Sequence, residues 1–229
     1  LILLEPVAQE HLDLTARLYN GDRLAQELIL GVGGVRMLRA LEMDVRLYHF
    51  NEGHALFAGF ELLREEMAKG LSFSDARAVV KERVVFTTHT PVVAGNETHG
   101  IEDMLDAGAG LDGTFDASHL EQLGENPFQM TVAALRLSRA ANAVAQLHGK
   151  TAAKMWDWVE GIKPIIPITN GVHMRSWQDD RLAEAAKPTM TDDALWGVHQ
   201  QLKDELLHEI ERTTGAKMSR DTLLIGFAR

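Results

Sequence analysis

The stretch DVRLYHFNEGHALFAGFELLREEMAKGLSFSDARAVVKERVVFTTH, Asp44–His89, decides the fold class. Asp44 to Phe50 is rich in β-branched and aromatic residues and reads as a strand. It runs into the polar cluster Asn51-Glu52-Gly53-His54, then into a helix from about Ala55 to Lys69. Ser72-Phe73-Ser74-Asp75 has the form of a capping box and opens a second helix through about Glu82. Arg83 to His89 is a buried-type strand that ends on polar residues. A strand, helical crossover and second strand of this kind build a parallel sheet, because parallel strands need a long connection between them. The expectation is an α/β fold.

The same alternation extends outward. Arg23 to Leu41 has helical spacing, with Leu24, Leu28, Val32, Val35, Leu38 and Leu41 on one face. Gly31, Gly33 and Gly34 interrupt it. No strand precedes them and no G-x-G-x-x-G is completed, so close packing of another backbone is the better reading than a phosphate loop. Pro91 to about Asn126 shows little periodicity. Phe128 to about Trp158 reads as one long helical region, and Ile165 to Ile168 as a strand leading into Thr169-Asn170-Gly171-Val172-His173. Thr191 is placed to cap a helix from about Asp192 to Thr213. Thr222 to Arg229 reads as a strand, as does the start, Leu1 to Pro6. The chain is therefore expected to be incomplete at both ends.

Composition narrows the partners. Acidic residues outnumber basic ones 33 to 23, for a formal charge of −10, which disfavours nucleic acid and anionic membranes. Cysteine is absent, excluding disulfides and thiolate metal sites and making the cytoplasm the simplest location. No apolar run reaches the roughly 20 residues of a membrane span.

Three strand ends carry unusual polar clusters: Asn51–His54, Thr87–Pro91 and Thr169–His173. In open α/β sheets, ligands bind beyond the carboxyl ends of the strands. Asn, His, Thr and Glu supply the mixed donors and acceptors that sugar hydroxyls need. A metal site is not expected, since His49, Glu52 and His54 match neither zinc-protease spacing. No G-x-S-x-G elbow is present, and Glu52 lacks an evident carboxylate partner for glycoside hydrolysis.

FNEGHALF (50–57), VVFTTHTPVVAGNETH (84–99), MTVAALRLSRAANAVAQLHG (130–149) and ITNGVHMRSW (168–177) closely resemble successive blocks of the short-type α-glucan phosphorylases. LYNGDRLAQELILGVGGVRMLRAL (18–41) and LLIGFAR (223–229) fit the blocks that flank them. The resemblance implies two Rossmann-like domains of the GT-B glycosyltransferase type. Residues 1–167 would be the later part of the N-terminal domain and 168–229 the beginning of the C-terminal one. It implies α-1,4-glucan and inorganic phosphate as substrates, pyridoxal 5′-phosphate as cofactor, and a homodimer in common with other members. Carried over by position, His89 would bond the glucose 6-hydroxyl and turn its carbonyl toward developing positive charge. Asn170 would bind sugar hydroxyls, Val144 would pack near the glucose, and Asn51, Glu52 and His54 would line the cavity beside the anomeric centre. Arg229 would contact phosphate and cofactor phosphate. The family's cofactor lysine has no counterpart in the stretch, so the chain by itself is expected to be inactive. A glycogen or starch synthase and a non-catalytic glucan-binding fragment are the alternatives.

Overall fold

The computed structural model describes residues 13–16 and 22–226. The chain divides into two compact units, residues 1–170 and 171–229.

The first unit is built on a four-stranded, wholly parallel sheet in the order β1-β2-β5-β6. A short helix α1 (Asp13–Ala16) precedes a longer helical run. That run comprises α2 (Arg23–Leu28), a π-helical stretch (Ile29–Gly33) and α3 (Gly34–Ala40). Strand β1 (Tyr48–Asn51) leads through a 3-10 turn into α4 (Leu56–Ala68), then α5 (Phe73–Lys81) and β2 (Val84–Thr88). The β-α-α-β unit expected from Asp44–His89 is present. Ser72 caps α5 by accepting the Asp75 amide hydrogen at 3.2 Å.

Helix α4 is the centre of the core. Leu56, Phe57, Phe60, Leu62 and Leu63 are fully buried around most of its girth. On one side Gly59 lies against the Phe50 ring and Leu137; on the other, Gly31 lies against the Phe57–Ala58 backbone. Gly31 is thus a close-packing glycine, not part of a phosphate loop. Phe60 meets Phe57 and Phe115 edge to face, with ring centroids 5.1 and 5.3 Å apart, a preferred arrangement for aromatic pairs.

Between β2 and the next core strand lie a two-residue strand β3 (Thr98–His99), α6 (Ile101–Asp106) and α7 (Ala117–Gly124). Strand β4 (Phe128–Gln129) pairs with β3 antiparallel. The helices α6 and α7 escaped the sequence reading, because each is short and their apolar positions are few.

The expected single helix over Phe128–Trp158 is a correction of substance. It divides into β4, α8 (Met130–Arg136), β5 (Ala140–Ala143) and α9 (Gln146–Met155). Strand β5 is AANA, a sequence of helical propensity overridden by pairing with β2 on one side and β6 (Ile165–Pro167) on the other.

The second unit holds α10 (Met174–Trp177), α11 (Asp180–Ala185) and α12 (Asp192–Thr214). Thr191 caps α12 through the Ala194 amide, and Gly215 closes it in the left-handed conformation. Arg181 ties α11 to α12 by pairing with Asp179 and with Glu205. The expected strand over 222–229 is not formed in its described part, Thr222–Gly226. Leu1–Pro6 and Arg229 lie outside the described residues.

Candidate functional site

Because all four strands run the same way, their carboxyl ends share one edge of the sheet. That edge carries Asn51 at the end of β1 and Glu52 after it, His89 after β2, Val144 after β5 and Asn170 after β6. Pairing continues past the strands: the Ile168 amide donates to Ala143 at 2.8 Å and the Asn170 amide to Val144 at 3.1 Å. With β5 between β2 and β6, and strands about 4.8 Å apart, the His89 and Asn170 backbones stand about 10 Å apart along the edge. The His89, Asn51 and Asn170 side chains are exposed, and Val144 is half-buried.

Two side chains tie the edge together. Glu52 Oε2 accepts hydrogen bonds from the His89 amide at 2.7 Å, the Thr90 amide at 2.9 Å and the Thr90 hydroxyl at 2.9 Å. Glu52 reaches them from a backbone with φ 63° and ψ −179°, a region nearly reserved for glycine that costs roughly 1–3 kcal/mol. Charge-assisted bonds to one oxygen offset that strain. His148, 9% exposed in the first turn of α9, accepts the Val144 amide hydrogen on Nδ1 at 3.3 Å. Its Nε2 therefore carries the hydrogen and donates to the Thr90 carbonyl at 3.4 Å.

On the sheet face away from α4, a polar relay crosses three strands. His49 Nε2 meets Thr87 Oγ1 at 2.6 Å, and Thr87 Oγ1 donates to Asn142 Oδ1 at 2.7 Å.

His54 turns elsewhere. Its Nδ1 lies 3.1 Å from Glu27 Oε1 and 2.6 Å from Arg23 Nη2. It belongs to a second cluster in which Glu27, Glu97 and His99 have ligand atoms within 4.8 Å of one another. That grouping could hold a cation, but Arg23 already stands 3.0 Å from Glu27 and 3.6 Å from Glu97 and supplies the countercharge. Burial pushes the Glu97 carboxyl up, but contacts with His99 and Glu27 and the charge of Arg23 outweigh it and hold the group low. Contact with Glu97 raises His99 above the ordinary imidazole range, against its burial. His49, Glu52 and His54, within six residues of one another, face three different sets of partners.

No family model matches the chain. It is 32% identical over 254 residues to the maltodextrin phosphorylase of Thermococcus litoralis, covering 93% of this chain and 31% of that protein. It is 28% identical over 268 residues to the glycogen phosphorylase of Aquifex aeolicus, covering 95% of this chain and 39% of that one. Most of the chain is thus similar to part of maltodextrin and glycogen phosphorylases. An uncharacterized protein of Methanocaldococcus jannaschii is also similar, 37% identical over 219 residues, with 94% of this chain and 40% of that protein covered. The chain thus spans 40% or less of the length of each of these relatives.

Of the positions singled out in the sequence, the structure gathers Asn51, Glu52, His89, Val144 and Asn170 on one edge. It places His54 in the neighbouring ionic cluster, and Arg229 lies outside the described residues. Sequence reasoning missed His148, Arg23, Glu27, Glu97 and His99. Glu27 carried a usable signal: it follows Leu24 by three residues on the apolar face of its helix and is 2% exposed. A carboxylate in such a position is seldom left without partners.

Proposed function

We propose that this chain supplies the glucose-binding side of a site for α-1,4-glucan phosphorolysis. The observation that carries the reading is the common carboxyl edge, which brings His89, Val144 and Asn170 together from strands far apart in sequence. Residues 1–167 would belong to the N-terminal Rossmann-like domain of a GT-B enzyme and 168–229 to its C-terminal domain.

In the proposed reaction, inorganic phosphate gives a proton to the glycosidic oxygen as the bond from C1 breaks. A phosphate oxygen then bonds C1 on the same face, yielding α-glucose 1-phosphate and a glucan one unit shorter. In this reading no side chain among the described residues of the edge acts as a nucleophile. The exposed His89 imidazole and Asn170 amide can hold the sugar hydroxyls from either side, and Val144 offers an apolar surface to the ring. The His89 carbonyl dipole can favour an oxocarbenium-like centre without bonding to it. Holding the sugar in one pose lowers the entropic part of the barrier.

Pyridoxal phosphate is the cofactor the family resemblance implies. A Schiff-base lysine needs an enclosed amine near the reacting edge. Lys150 and Lys154 are exposed on α9, and Lys69 pairs with Glu66 at 2.8 Å. Burial, then Lys163 and Arg77, push the Lys81 amine down, but Lys81 precedes β2, at the opposite end of that strand from His89. Lys163 is exposed ahead of β6. The described residues of the first unit do not fit a covalently held pyridoxal phosphate.

Titration calorimetry with maltoheptaose tests the sugar assignment. His89→Ala should weaken binding by about tenfold, the loss of one ligand hydrogen bond left unsatisfied. Unaltered affinity would remove His89 from the site.

A further inference from the structure

Glu52 was expected to line the sugar cavity, yet its Oε2 is engaged by two backbone amides and one hydroxyl, while Oε1 is buried without a hydrogen-bond partner. Three donors from two consecutive residues, the His89 amide, the Thr90 amide and the Thr90 hydroxyl, converge on Oε2. The peptide joining His89 to Thr90 is trans, so its carbonyl points opposite to its N–H. With the Thr90 N–H fixed on Glu52, the His89 carbonyl is locked facing away from Glu52. The following carbonyl, that of Thr90, is held in turn by His148 Nε2, while His148 Nδ1 fixes the Val144 amide. The His89 imidazole itself is left exposed for a ligand.

We infer that Glu52 and His148 are positioning residues that aim the His89 carbonyl and side chain at the sugar, without touching it themselves. The inference rests on the glucose-site reading above. Glu52 clamps β1 to the end of β2, and His148 clamps the end of β2 to the end of β5. The strained φ of 63° at Glu52 is the conformation from which its carboxylate makes these bonds.

The test uses the whole chain with four variants, His89→Ala, Glu52→Ala, Glu52→Gln and His148→Ala. Amide hydrogen exchange by NMR and maltoheptaose affinity by calorimetry are the readouts. Glu52→Ala should speed exchange at His89 and Thr90 by about tenfold or more while leaving Phe86, inside β2, unaffected. Glu52→Gln keeps an acceptor in place of Oε2 and should restore most of the protection. His148→Ala should release the Val144 amide without releasing that of His89. Sugar affinity should follow the exchange, weakened by about tenfold in Glu52→Ala and much less in Glu52→Gln.

Unchanged exchange at residues 89 and 90 in Glu52→Ala refutes the positioning role. So does a rise spread evenly through β1 and β2, which marks a general fold determinant. Equal loss of sugar affinity in Glu52→Ala and Glu52→Gln, with exchange altered only in the former, means that Glu52 contacts the sugar directly and overturns the inference. Failure of the glucose reading is separate: sugar affinity is then absent or indifferent to His89→Ala, while exchange still reports on the clamp.

Discussion

Two glycines three residues apart in one helical run should respond to alanine with opposite signs. A Cβ built on Gly31 would lie 2.4 Å from the Ala58 nitrogen, 2.5 Å from the Phe57 carbonyl carbon and 2.7 Å from Phe57 Cβ. Two of these atoms are backbone of α4, a helix buried around most of its girth, and no side-chain rotation relieves the overlap. Either the helical run or α4 must move. Overpacking of this kind costs about 1–3 kcal/mol, and contact with immovable backbone argues for the upper end. Replacing a helical glycine by alanine returns about 1 kcal/mol of propensity. Gly31→Ala should therefore lose about 2 kcal/mol net. At Gly34 an added Cβ meets nothing within 4 Å. Gly34→Ala should gain about 0.5–1 kcal/mol, since only the backbone-entropy term remains. Equilibrium urea unfolding followed by circular dichroism reads both, the midpoint falling for one variant and rising for the other. If Gly31→Ala is as stable as the parent, the packing of α4 against this helix is not as tight as described, and the close-approach explanation of Gly31 fails.

Burial alone would raise the Glu61 carboxyl, but hydrogen bonds from Arg64 and Arg36 outweigh it and hold the group below the usual carboxylate range. A depressed folded value means that the stabilisation is complete above the unfolded value and is lost as pH falls through the folded one. Glu61→Gln should cost about 1–2 kcal/mol at neutral pH and flatten the acid limb of the stability profile, measured by thermal melts between pH 7 and 3. For His99 the sign reverses: its raised value stabilises below the ordinary imidazole range and the benefit disappears as pH rises through the folded value. NMR titration should place the His99 ring above free histidine, and Glu97→Gln should lower it. Pyridoxal phosphate with borohydride should leave no stoichiometric lysine adduct on this chain; mass spectrometry finding one would overturn the misfit described for its lysines.

How far the architecture could be read in advance depended on what each segment needed from its neighbours. Strands β1 and β2 announce themselves because YHF and VVF suit a pleated, half-buried surface, and punctuation flanks both. Helix α12 was equally legible, since Thr191 marks its start by a local bond that needs no tertiary partner. Strand β5 was not. Ala140–Ala143 has no β-branched residue, and it is a strand only because β2 and β6 present unpaired edges on either side of it. The consequence reaches the site: read as helix, Val144 would sit on an apolar stripe, whereas as the residue after β5 it joins the polar edge. Glu52 shows the same limit at the level of one side chain. Its place at a strand end was visible, but the direction of its carboxylate depends on a left-handed backbone and on two amides 37 and 38 residues away. A carboxylate at the mouth of a sugar site suggests contact with the sugar. Three short bonds to Oε2, two from amides and one from the Thr90 hydroxyl, argue that this oxygen instead shapes the loop that makes the contact.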